Sequence, residues 1–158
     1  MIHDQDAVQE FEQLLWQISQ RINLHTRRFL AGEGLTMARF IALSNLASEK
    51  PFTMGDLQRR LYLAPATLTG LIDGLVEGGF VERWRDDCDR RSVFLALTPL
   101  GEELLERVFT YRTSILMEAL DQQPEIDLAS LNRQMRQTKE CLKRIPLEKR
   151  RDCRCEEG

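Results

Sequence analysis

Apolar residues recur at helical spacing along most of the chain. Val8, Phe11, Leu14, Leu15, Ile18 and Ile22 fall at i, i+3, i+4, i+7 intervals, and Phe29 extends the stripe. That pattern predicts a long first helix over about residues 6–31, stopped by Gly32 and Gly34. Thr36 then stands where an N-cap is wanted, ahead of a second helix with Phe40, Leu43 and Leu46 on one face and Pro51 closing it. Thr53 and Asp56 are spaced as a near capping box before a short helix carrying Leu57 and Leu61. After a turn at Leu63 and Ala64, Pro65 suits the first position of a further helix, whose buried face is Leu68, Leu71, Ile72 and Leu75. Gly78 and Gly79 end it where a left-handed residue is favoured.

The period then changes from 3.6 to two. Phe80 and Trp84, then Val93, Leu95 and Leu97, alternate with polar residues over Phe80–Trp84 and Val93–Leu97, which predicts a half-buried hairpin. Its polar tip is rich in arginine: Arg83, Arg85, Arg90 and Arg91. Thr98 and Pro99 open another helix of about twenty residues, marked by Leu104, Leu105, Val108, Ile115 and Leu120. Asp127 caps a last one, carrying Leu128, Leu131, Met135, Leu142 and Ile145 before Pro146. The expected fold class is mainly α with a small β-hairpin wing: a winged helix-turn-helix flanked by long helices. In domain terms these are an N-terminal helix (1–34), a reading head (35–100), C-terminal helices (101–147) and a charged, cysteine-containing tail (148–158).

Charge tempers the picture. The formal net charge is -3, and residues 35–100 hold eight Lys/Arg against eight Asp/Glu. DNA binding must therefore rest on local placement of arginines, not on bulk charge. Arg85 and Arg90 are the tip candidates, and Asp86, Asp87 and Asp89 could instead neutralise a merely solvated tip. A winged-helix protein-interaction module without an operator remains the alternative. No phosphate-binding glycine loop or nucleophile–histidine set is present, so an enzyme is not expected, nor is any cofactor. The acidic start of the chain is no secretory signal and no apolar run is long enough to span a bilayer, so a soluble, cytoplasmic protein is expected.

The long helices have little to pack against in a monomer, so Phe11, Leu14 and Leu15 of the first and Leu142 and Ile145 of the last are candidates for a homodimer seam. The four cysteines, Cys88, Cys141, Cys153 and Cys155, form no disulfide framework. Cys153 and Cys155, with Cys141 nearby, are candidates for a soft metal or an oxidant, and Arg150, Arg151 and Arg154 favour thiolate in the tail.

The stretches L-T-M-A-R-F-I-A-L-S-N-L, T-M-G-D-L-Q-R-R-L-Y-L-A-P-A-T-L-T-G-L-I-D-G-L-V-E-G-G-F-V-E-R and D-D-C-D-R-R-S-V-F-L-A-L-T-P-L-G resemble the MarR family of bacterial transcription regulators. The resemblance implies a winged-helix homodimer that binds a near-palindromic operator in double-stranded DNA, with the terminal helices forming the dimer. It implies that Asp89 and Arg91 occupy the wing D-x-R positions, the arginine entering the minor groove. It places Ala66, Thr67 and Thr69 at the start of the reading helix, facing bases or phosphates. It further implies release by an oxidised cysteine or by a small anionic aromatic ligand held between the dimer helices and the reading head. Arg21, His25 and Arg28 share a rough face of the first helix and could meet such a ligand, with Trp16 and Phe40 as apolar walls. One departure stands out. Gly70 and Gly74 occupy places where family members often carry basic residues, so phosphate anchors are missing from the helix itself.

Overall fold

The computed structural model describes residues 4–47, 51–85 and 92–146. Asp89, Arg90 and Arg91 of the wing, and Cys88, Cys153 and Cys155, lie outside the described residues. The elements run α1 (Gln5–Gly32), α2 (Met37–Asn45), β1 (Phe52–Thr53), α3 (Met54–Leu61), α4 (Pro65–Glu77), β2 (Val81–Arg85), β3 (Val93–Leu97), α5 (Pro99–Asp121) and α6 (Leu128–Lys143). The described residues divide after Met117 into two compact units. Among them no helix is long and apolar enough to cross a membrane.

Local chemistry sets the boundaries. Thr36 caps α2 by accepting from Arg39 N. Thr53 and Asp56 complete both arms of the capping box on α3. Both α1 and α4 end in a Schellman turn. At α1, Gly34 takes φ +68° while Leu35 N donates to Leu30 O at 2.9 Å. At α4, Gly79 takes φ +75° while Phe80 N donates to Leu75 O at 2.9 Å. Each turn brings an apolar residue back onto the helix it leaves, which sets the direction of the next element.

The sheet has three antiparallel strands in the order β1-β3-β2. The hairpin is as the alternation predicts, but β1 is not: it is two residues long, too short to show a period, and pairs Phe52 with Leu95. The register also corrects the face of β2. Val81 lies opposite Leu97 and Arg83 opposite Leu95, so the inward residue is Val81, not Phe80 or Trp84. Trp84 lies on the other face, where it stacks on Phe94 with centroids 5.9 Å apart. Its apolar ring is satisfied by a cross-strand partner rather than by the core.

One core unites the reading head with parts of α1 and α5. Leu30, Leu43, Leu57, Ile72, Leu75, Leu95 and Val108 are fully buried in it. Thr26 is buried too, with its hydroxyl donating to Ile22 O at 2.8 Å. Phe29 stacks on Tyr111, and Glu33 pairs with Arg107. The hairpin base is stitched to α5: Thr98 Oγ1 donates to Gly79 O at 2.6 Å and accepts from Gly101 N at 3.1 Å. Gly101 lies so close beneath the strand that a Cβ there would sit 2.2 Å from Phe80 O.

In the second unit, α6 has no buried residue. It ends at Lys143, short of the expected Ile145, because a residue before proline is disfavoured in helical geometry.

Candidate nucleic-acid interface

Helices α3 and α4 and the β2–β3 hairpin converge on one surface. Pro65 starts α4, and Ala64 at its N-cap offers no side-chain acceptor. The first-turn N–H groups therefore stay available to an outside anion, where the helix dipole favours negative charge. Ala66, Thr67 and Thr69 are all exposed along this start. The Thr69 hydroxyl donates to Pro65 O at 2.9 Å, leaving its lone pairs and methyl outward.

A groove of about 480 Å³ separates α4 from the wing, lined by Met54, Thr69, Arg83, Trp84, Arg85 and Val93. The arginines around it are not equivalent. Arg83 donates to Asp73 of α4 at 2.6 Å, tying the hairpin to the reading helix. Arg59 pairs with Asp56, and Arg60 lies over the Phe52 ring at 5.4 Å. Arg85 makes no ion pair among the described residues and ends β2 exposed. Arg83 is thus largely neutralised where it stands, whereas Arg85 has no carboxylate partner among the described residues. Nearby, hydrogen bonds from the Thr53 side chain and then its backbone hold the Asp56 carboxyl below the ordinary aspartate range. Asp56 stays ionised, capping α3.

The two glycines of α4 differ. A Cβ at Gly70 would meet nothing within 4 Å. A Cβ at Gly74 would fall 2.1 Å from an Arg39 guanidinium nitrogen. Sequence reasoning passed over Arg39, because its approach to Gly74 is a tertiary contact between α2 and α4 that no local pattern encodes.

The candidate ligand residues are not gathered into one site. Phe40 is a core residue, 5% exposed and set edge-on to Phe109 at 6.1 Å. Trp16 and Arg21 line a shallow groove on α1 with Gln17, Gln20, Leu24 and Arg27, and neither His25 nor Arg28 joins them. Cys141 is exposed on α6. Among the described residues no cluster of three His, Cys, Asp or Glu could hold a metal ion.

A helix-turn-helix with an open, uncapped second helix, braced by a three-stranded wing, defines a winged helix-turn-helix DNA-binding protein. A sequence profile of the MarR family matches residues 35–93. The HTH-type transcriptional regulator YsmB of Bacillus subtilis (strain 168) is 30% identical over 139 residues, which span 88% of this chain and 95% of the relative. The HTH-type transcriptional repressor YetL of the same organism is 35% identical over 95 residues, 59% of this chain and 57% of the relative. A MarR family protein from Bacillus stearothermophilus superposes with a TM-score of 0.79 at 28% identity, covering 90% of this chain and 99% of that one. The chain belongs to the MarR family of transcriptional regulators. These are regulators, not enzymes.

Proposed function

We propose that the protein works as a homodimeric repressor that binds a near-palindromic operator and is released by a small ligand or an oxidant. The observation that carries this reading is the exposed, uncapped start of α4 beside Arg85, which is exposed and has no ion pair among the described residues. Ala66, Thr67 and Thr69 face the major groove. Arg85, Arg90 and Arg91 take the backbone and minor groove, with Asp89 holding Arg91. Residues 35–100 form the reading head, and residues 1–34 and 101–147 pair the two copies, placing the heads about 34–36 Å apart. The repressor name of YetL supports the sign of regulation. Arg21, His25 and Arg28 on α1 are the groups suited to an anionic effector, and Cys141, with Cys153 and Cys155, those suited to an oxidant. An effector that fits one spacing of the two heads better than the other shifts the dimer away from its operator.

The test is a mobility shift on the DNA upstream of the chain's own coding region, across a salt series. Log affinity falls linearly with log salt if phosphates are contacted. Arg91→Ala weakens operator binding at least about tenfold while sedimentation still reports a dimer. Unimpaired operator binding by that variant removes the wing assignment, and no binding by the wild type removes the function.

A further inference from the structure

Arg39 is the third residue of α2, outside the elements described as touching DNA. Its guanidinium lies against the backbone of α4 at Gly74, inside the space where any side chain at 74 would begin. The side chain is half-buried. Its backbone N–H is used by Thr36, but its guanidinium makes no hydrogen bond or ion pair among the described residues. The other described arginines of the reading head differ. Arg59 and Arg83 have carboxylates, Arg60 has an aromatic ring, and Arg85 stands exposed in solvent. A guanidinium that is partly desolvated and unpaired is costly unless an anion reaches it.

Its seat fixes where that anion comes from. Thr67, Gly70 and Gly74 fall at i, i+3 and i+7 on α4, so they share one stripe of the helix. Thr67 and Gly70 are exposed on that stripe. Arg39 thus enters the exposed face of the reading helix from the side, in the notch that Gly74 leaves open.

We infer that Arg39 is a DNA phosphate anchor, delivered to the reading surface by α2 and seated by the absence of a side chain at Gly74. This rests on the DNA-binding reading above. The planar fork suits two oxygens of one phosphate. The contact carries no sequence information, so it acts on specific and random duplexes alike.

The experiment measures the affinity of the full chain for its upstream DNA and for a random duplex of equal length, each over a salt series. Arg39→Gln lowers the slope of log affinity against log salt by about 0.9 for each phosphate released, and weakens binding at 0.15 M salt on the order of fivefold per contact. Arg39→Lys keeps the slope, because charge sets ion release, while losing part of the affinity with the fork. Gly74→Ala keeps Arg39 but fills its seat. What must move is the far end of a flexible side chain, and alanine favours the helix, so this variant folds at least as stably as wild type yet binds both duplexes more weakly. That opposite movement separates anchoring from general damage, even if Arg39→Gln folds poorly. An unchanged slope in folded Arg39→Gln, or full affinity in Gly74→Ala, overturns the inference. Failure of the wild type to bind either duplex at low salt would instead overturn the functional reading itself.

Discussion

Glycine at three positions shows how single residues set the reading head. Gly101 is buried beneath the Phe80 carbonyl, and a Cβ there would collide with backbone at 2.2 Å. Backbone cannot swing aside as a side-chain tip can. Gly101→Ala therefore costs about 1–3 kcal/mol, the price of overpacking a close contact, and lowers Tm by several degrees. Gly70→Ala is the matched control. It meets open space in the interior of an exposed helix, so it gains about 0.8–1 kcal/mol. Thermal unfolding of the pair checks the sign of each; a stabilised Gly101→Ala would mean that α5 does not sit tightly on the hairpin base. Gly101 is thus a requirement of packing. Gly74 differs from both, since its neighbour is mobile and its role lies in what it admits.

At the scale of elements, α3 depends on its cap. It has eight residues, too few to persist on propensity alone, and its capping box is the local device that holds its first turn. Thr53→Ala costs about 1 kcal/mol at neutral pH. The pH dependence follows from Asp56, whose carboxyl is held below its ordinary value of 3.8, first by the Thr53 side chain, then by its backbone. A depressed folded pKa means stability that is complete above the unfolded value and lost as pH falls through the lowered one. The gap between Thr53→Ala and wild type is therefore widest near neutrality and narrows below pH 3.8. It does not vanish, because Thr53 Oγ1 also accepts from Asp56 N at 3.0 Å. Denaturant titrations at several pH values read this, and a gap that widens in acid contradicts it. This cap, like Thr36 and the Gly-Gly end of α4, was visible in the chain, since each acts on its own neighbours. What stayed hidden needed partners distant in sequence. β1 exists only because Phe52 and Thr53 pair with β3. Trp84 faces outward because Phe94 covers it. The burial of Phe40 depends on Phe109, set edge-on against it. The Arg39 guanidinium meets Gly74 only because α2 packs against α4, a contact no local pattern encodes.

For the whole molecule, the unsettled quantity is apolar surface without cover. On α1, Val8, Phe11, Leu14 and Ile18 are 43–54% exposed. On α6, Leu131, Met135 and Leu142 are 39–60% exposed, and nothing on that helix is buried. A sixteen-residue helix is marginal in water by itself and needs its apolar face packed. Under the homodimer proposed above, a second copy of the chain would cover these faces with matching chemistry. The proposed dimer would also compensate for a weak head. With the reading head near charge balance, one head would make few phosphate contacts, and joining two would raise the effective concentration of the second at its half-site. Phe11→Glu with Leu14→Glu should convert a sedimenting dimer into a monomer. Wild-type Tm should rise with protein concentration, as it must when folding and association are linked, and the variant's should not. The variant should lose most of its affinity for a two-half-site operator while keeping weak, salt-sensitive binding to a single half-site, because the groups proposed to touch DNA (Arg39, Arg85 and the start of α4) belong to each head alone. A variant that remains dimeric would place the seam elsewhere. A monomer with full operator affinity would show that one head suffices, and the exposed stripes of α1 and α6 would then need another partner.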